Sequence, residues 1–373
     1  MENDDKTILV TQPLMPSYDD FCDKLKEVWN NRWFTNNGPF HMEFQCKLKE
    51  YFNVENVSLF CNGHLALYTA LSVLELSGEV ITTPYSFSST THAICQCGLT
   101  PVFCDINPND YTIDVNKIEE LITDKTSAIL AVHVYGNVCD VKEIDRIAKK
   151  YNLKVIYDAA HAFGEKIDGR SIAEYGDISM FSFHATKVFN TVEGGAIICH
   201  SNEMKQKIDK LRNFGFCSET EIEGIGINGK MDEIRAAFGL LNLRNIDNAI
   251  LARKKITQRY KDALNDIEGI KFLTFPENTV QNYSHFPIFI NEDKYGISRD
   301  MLYYKLKENN ILSRRYFYPL ITSFKPYSDI PSAKPENLPI ANNLANSVIC
   351  LPLYPHLSEE DQNRIINLII NKY

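Results

Sequence analysis

From Val57 onward the chain alternates between short apolar runs and helix-like stretches, and this alternation narrows its fold more than any other feature. The runs fall at 57–61, 80–84, 101–104, 128–134, 154–158, 178–183 and 196–199 and are rich in β-branched residues. None has the polar alternation of a strand with one wet face, so each reads as a strand buried on both sides. A helical stripe at 141–151 places Ile144, Ile147, Ala148 and Tyr151 on one face. Buried strands joined through helices predict an α/β fold built on a mostly parallel sheet with both faces covered. The last two runs are too close in sequence for a helical crossover, which leaves room for an antiparallel edge strand there.

The flanks read differently. Ser17 is placed to cap a first helix, with Asp20 three residues on and Tyr18, Phe21, Cys22, Leu25, Val28 and Trp29 along one face. Thr35-Asn36-Asn37-Gly38-Pro39 then breaks regular structure. After about residue 245 a long charged helix, near 246–266, leads into strand-like Ile270 to Leu273 and Phe286 to Ile290, with helices near 298–309 and 358–371. We expect a large domain over 1–245 and a smaller α+β domain over 246–373, packed tightly because no linker separates them.

Composition removes several classes of function. No stretch approaches the roughly 20 apolar residues of a membrane span. The start, Met1 to Lys6, is acidic and lacks the basic opening of a secretory signal. A formal net charge of −9 argues against nucleic-acid binding. Of the 10 cysteines, several lie in apolar strand-like runs, and Cys95-Gln96-Cys97 has no second pair to complete a metal site. A reduced, cytoplasmic protein without a bound metal is the expectation.

Three segments carry chemistry. Phe181-Ser182-Phe183-His184-Ala185-Thr186-Lys187 ends a strand and puts one lysine in a polar loop before Glu193-Gly194-Gly195. A desolvated lysine there has a lowered pKa, and a neutral amine condenses with an aldehyde. Asp158 ends the apolar run Lys154-Val155-Ile156-Tyr157, at the strand end where ligands of parallel sheets bind. It reads either as a partner for a pyridinium nitrogen or as a helix cap, and His161 either faces the same ligand or is a bonded core histidine. Cys61-Asn62-Gly63-His64 turns a strand into a helix and offers free N–H groups to a phosphate. By contrast, Gly224-Ile225-Gly226-Ile227-Asn228-Gly229 has dinucleotide-type spacing but follows the polar stretch Ser218 to Glu223 rather than a strand.

Together these segments resemble the DegT/DnrJ/EryC1/StrS family of sugar aminotransferases. The resemblance includes Thr35 to Pro39, Pro84-Tyr85-Ser86-Phe87, Asp158-Ala159-Ala160-His161-Ala162 and Gly226 to Met231, and runs from about Val10 to Asn371. It implies the aspartate-aminotransferase fold (fold type I), with a mixed, mostly parallel sheet, and pyridoxal 5′-phosphate as cofactor. It implies that Lys187 forms the Schiff base and moves the proton, and that Asp158 pairs with the ring nitrogen. Phe87 is implied to stack on the ring, His161 to lie on its oxygen side, and Gly63, His64 and Ser182 to hold the phosphate. Asn228 is implied to reach the phosphate from the other subunit of a homodimer with shared active sites. Two positions depart from the family pattern: His64 stands where threonine or serine is common, and Lys230 where arginine is common.

The branch most similar to this chain moves the amino group of L-glutamate to C4 of dTDP-4-keto-6-deoxyglucose, giving dTDP-4-amino-4,6-dideoxyglucose for bacterial surface polysaccharides such as O-antigen. Lys230, Arg314 and Tyr318 are the candidate contacts for the nucleotide-linked sugar, with Arg315, Tyr316 and Phe317 beside them. The alternatives are amination at C3 of a dTDP-3-keto-6-deoxyhexose, or a non-catalytic regulatory or binding protein on the same fold. A dehydratase of this fold replaces the lysine with histidine, and Lys187 is present.

Overall fold

A computed structural model describes residues 6–371. The first five strands are β1 (Asn56–Phe60), β2 (Glu79–Thr82), β3 (Thr100–Phe103), β4 (Thr126–Val132) and β5 (Lys154–Asp158). Strands β6 (Lys166–Ile167) and β7 (Arg170–Ser171) form a small separate ribbon, and β8 (Ile178–Ser182) and β9 (Gly195–Cys199) return to the main sheet. Seven strands pair in the order β1-β9-β8-β5-β4-β2-β3. Strands β2 to β5 and β8 run parallel, as their unbroken apolar runs predict. Strand β9 is antiparallel, but it lies inside the sheet between β8 and β1. The edge on that side is β1, so the expected edge position of β9 is corrected. Its neighbour on the far side is set by pairing over more than a hundred residues, which local spacing does not encode.

Alternate residues of each strand serve two cores. On one face Val57, Leu59, Ile129 and Val155 pack against Phe44, Leu48, Ile144 and Ile147. These come from the helices Pro39–Phe52 and Val141–Tyr151. On the other face Phe60, Val80, Leu130 and Ile156 meet Leu67 and Leu71 of helix Gly63–Val73. This second core continues into Phe317, Leu320, Ile321 and Leu344, so the C-terminal part shares it.

A second sheet orders β10 (Ile270–Phe272), β12 (Phe286–Ile290) and β13 (Val348–Leu351), while β11 (Thr279–Val280) joins β6. A third core of Ile288, Leu302, Ile349 and Ile365 fills it, and Ile8 packs there too. The charged helix is the far half of one helix of 32 residues, Glu233–Leu264. Its first half, with Ala236, Ala237, Phe238 and Leu240 buried, is too apolar to resemble the charged half. The first helix spans Tyr18–Asn31, and Ser17 Oγ accepts from Asp20 N at 3.4 Å, as expected. Of the expected stripe, Val28 is buried, while Tyr18 and Trp29 are 81% and 73% exposed.

Candidate active site

A cavity of about 800 Å³ opens where β4, β5 and β8 end. In-register pairing brings Val132, Asp158 and Met180 together at its floor. Parallel sheets bind ligands at this end because the crossovers leave it open.

Lys187 sits in the loop between β8 and β9. The base of that loop is pinched by Phe183 N donating to Gly194 O at 2.8 Å and Thr191 N donating to Phe183 O at 2.9 Å. Gly194 is required for the pinch, since a Cβ there would lie 2.1 Å from Thr191 Oγ1. A turn, Lys187 N to His184 O at 2.9 Å, then sends the side chain to the cavity. Burial pushes the amine down to about 8, and the nearby Asp158 carboxylate opposes that shift.

Asp158 is 5% exposed. Its Oδ2 accepts from Thr90 Oγ1 at 2.8 Å and its Oδ1 from Ala160 N at 3.1 Å. Burial raises its pKa, while those two hydrogen bonds and the Lys187 charge act in the other direction. Turns rather than a helix follow it, which removes the helix-cap alternative. His161 is buried, and its Nδ1 accepts from Tyr135 N at 3.1 Å, so its proton resides on Nε2. Burial first, then Lys187 and His285, hold the ring far below the usual histidine range. The rings of His161 and His285 lie 4.6 Å apart, and Phe317 lies parallel to His161 at 6.0 Å.

The third element is a cup at the start of helix Gly63–Val73. Asn62 caps it by accepting from Leu65 N at 2.8 Å. The N–H groups of Gly63 and His64 belong to the first turn, where no intrahelical acceptor exists. A Cβ on Gly63 would come within 2.8 Å of Ser182 Cβ, so glycine lets this turn close on the end of β8. The His64 ring contacts Ser89 Oγ at 2.7 Å and Gln96 Oε1 at 2.9 Å. Its departure from the family pattern therefore joins two helices and leaves its N–H to the cup. Phe87, 63% exposed, lies at the rim.

Lys187, Asp158, His161, Ser182, Gly63, His64 and Phe87 thus meet in one cavity. Four other expected residues do not line it. Asn228 is exposed and bridges Asn213, and Lys230 extends from beside Phe60 with its Nζ 4.4 Å from the Phe214 ring. Arg314 is exposed and pairs through its backbone with Cys350, and Tyr318 is stacked by Arg299 at 4.5 Å. Thr90, His285 and Arg235, which sequence reasoning passed over, belong to the site or its wall. The hydroxyl-rich stretch Ser86 to Thr91 was a usable signal for Thr90; His285 lies beside an ordinary strand and carried none. In the loop holding Gly224 to Gly229, a Cβ on Gly226 would lie 2.3 Å from Gly215 N, so that glycine serves a close backbone approach.

An amine poised near neutrality, a buried carboxylate and an N–H cup match the aldehyde, ring nitrogen and phosphate of pyridoxal phosphate. Comparison with known proteins agrees. The chain matches the DegT/DnrJ/EryC1/StrS aminotransferase family over residues 17–370 and belongs to that family. It is 50% identical to the dTDP-4-amino-4,6-dideoxy-D-glucose transaminase of Escherichia coli, over 99% of each chain. A crystal structure of DesI in the presence of its TDP-sugar product superposes with a TM-score of 0.93 at 32% identity, covering 98% of this chain and 92% of that one. The pyridoxal-phosphate form of a sugar aminotransferase from Streptococcus pneumoniae gives 0.89 at 25% identity, covering 98% of each chain. The chain is therefore an aminotransferase of fold type I.

Proposed function

We propose that this enzyme moves the amino group of L-glutamate to C4 of dTDP-4-keto-6-deoxyglucose, giving dTDP-4-amino-4,6-dideoxyglucose. The convergence of Lys187 and Asp158 on one cavity carries the aminotransferase reading. The 50% identity to a transaminase named for this product supports the sugar and its C4 position.

Pyridoxal phosphate, held by Lys187, Asp158, His161, Phe87, Ser182 and the Gly63–His64 cup, supplies the electron sink for both half-reactions. Lys187 Nζ takes the proton from Cα of glutamate, and later delivers one to C4 of the sugar. Asp158, anchored by Thr90 and Ala160, would hold a proton on the ring nitrogen of the bound cofactor. His161 offers Nε2–H as a donor on one side of the ring.

In this reading a second copy completes the site with Asn228. The exposure of Phe214, Ile222 and Ile225 on the same loop, and of Trp29 and Trp33, supports such a contact. Lys230, Arg314 and Tyr318 then meet the nucleotide sugar at the mouth rather than inside the cavity. We keep the division into 1–245 and 246–373, with the boundary inside helix Glu233–Leu264, and place the enzyme in the cytoplasm. No helix among the described residues is long and apolar enough to cross a membrane. Purified protein is expected to be yellow with a borohydride-reducible chromophore. If Lys187→Ala keeps both that chromophore and turnover, the reading is wrong.

A further inference from the structure

Behind the cavity wall, two buried tyrosines from the turns that follow β2 and β4 meet a backbone carbonyl of the C-terminal part. Tyr85 and Tyr135 are 0% and 1% exposed, and their hydroxyl oxygens lie 2.5 Å apart. Tyr85 Oη donates to Tyr316 O at 3.0 Å, and Tyr135 Oη donates to the same carbonyl. With one proton each, the two hydroxyls share these three contacts: while one donates to the carbonyl, the other donates either to that carbonyl or to its partner hydroxyl, and in a dry setting such linked bonds strengthen one another. Burial holds both phenols well above their usual pKa, so the protons stay in place across the working pH range.

The rest of Tyr135 points the same way. Its backbone has a φ of 59°, a left-handed conformation that is costly for a bulky side chain and persists only where the surroundings hold it. In that conformation its N–H reaches His161 Nδ1, while its carbonyl accepts from Ser284 Oγ at 2.6 Å. The carbonyl at 316 is followed by Phe317, which lies nearly parallel to His161, at 3° between planes, and meets the Tyr85 ring edge-on at 5.7 Å. Tyr316 and Phe317 both line the cavity.

We propose that the Tyr85–Tyr135 hydroxyl pair is a latch that seats the segment Tyr316–Phe317 as a wall of the active site and holds Phe317 flat against His161. Tyr85 and Tyr135 are then positioning residues for the aminotransferase reaction, acting through Phe317 and His161 without touching substrate. The inference rests on the aminotransferase reading above. Strands β4 and β2 deliver the two hydroxyls from adjacent positions of the sheet, so the latch ties the C-terminal part to the floor that carries Asp158.

Holoenzyme variants Tyr135→Phe, Tyr85→Phe and the double change test it, with two readouts: hydrogen exchange of the segment 314–320, and kcat/KM with glutamate and the keto sugar. The double variant is expected to exchange that segment about tenfold faster and to lose about tenfold in kcat/KM, as coupled contacts worth this much do. Each single change should cost less, because the other hydroxyl still reaches the carbonyl. Phe317→Leu keeps both hydroxyls and the 316 carbonyl but removes ring contacts to Tyr85 and Tyr135, so it should lower kcat/KM while speeding exchange of 314–320 less than the double variant does. A double variant with wild-type exchange in 314–320 would overturn the latch. Wild-type kcat/KM in Phe317→Leu would overturn the positioning role. Absence of turnover by the wild-type enzyme would instead count against the aminotransferase substrate, and the exchange result would still stand.

Discussion

The proposed chemistry turns on Lys187, and the environment of that residue makes a pH prediction. With its amine held at about 8, the neutral fraction of the cofactor-free enzyme grows as pH rises toward 8 and then levels off. Capture of pyridoxal phosphate by stripped enzyme should therefore accelerate about tenfold per unit below that pH and flatten above it. Stopped-flow absorbance checks this; a rate still climbing above pH 9.5 would mean a solvated lysine. Asp158→Asn keeps the shape and the Thr90 contact but loses the charge. It should cut turnover by at least about a hundredfold while changing the melting temperature little, because the electron sink is lost. Thr90→Val should reproduce a smaller part of that loss. The two central residues were legible as candidates because each ends or follows an apolar run, but Asp158 read equally as a helix cap, and the roles of both came from the family resemblance. His285 and Tyr135 were not legible: Tyr135 follows an apolar run and His285 stands just before a strand, and only tertiary contacts aim each at His161.

Among the elements, the start of helix Gly63–Val73 does the most for the site. Gly63→Ala forces a Cβ to within 2.8 Å of Ser182, so the cup must open. We expect weaker cofactor retention, about tenfold or more in apparent affinity by titration of stripped enzyme, with the fold preserved. Asn62→Ala removes the cap that accepts from Leu65 N and should cost about 1 kcal/mol of stability. The seven strands of the main sheet were read from sequence to within about two residues, since burial on both faces leaves an unbroken apolar signal, whereas β13 (Val348–Leu351) and the two-residue strands β6, β7 and β11 were not read. The 32-residue helix Glu233–Leu264 was read only in its charged half, and β9 was placed at an edge, because composition changes along the helix and strand order depends on distant partners.

At the scale of the molecule, the buried Glu165 links the sheet to β12's approach. Its Oε1 accepts from Asn282 N at 2.7 Å, and Asn282 Nδ2 donates to the His161 carbonyl at 2.8 Å. Burial raises the Glu165 pKa far above the usual carboxyl range, so it is protonated in the fold and ionises on unfolding. Its contribution to stability is thus fully present below the unfolded value of about 4.3 and is lost as pH rises toward the folded one. Glu165→Gln should raise the melting temperature at pH 8 and leave it nearly unchanged at pH 4. Assembly has its own test: a Lys187→Ala chain mixed with an Asn228→Ala, Lys230→Ala chain should regain activity, since one shared site then carries neither lesion. A fully active monomer in sedimentation would contradict the shared site.

The most direct measurement is incubation of the purified enzyme with pyridoxal phosphate, L-glutamate and dTDP-4-keto-6-deoxyglucose, followed by NMR of the sugar nucleotide. The account predicts 2-oxoglutarate and a sugar carrying nitrogen at C4, with neither formed by Lys187→Ala. Nitrogen at C3, or an unchanged 4-keto sugar, would contradict it.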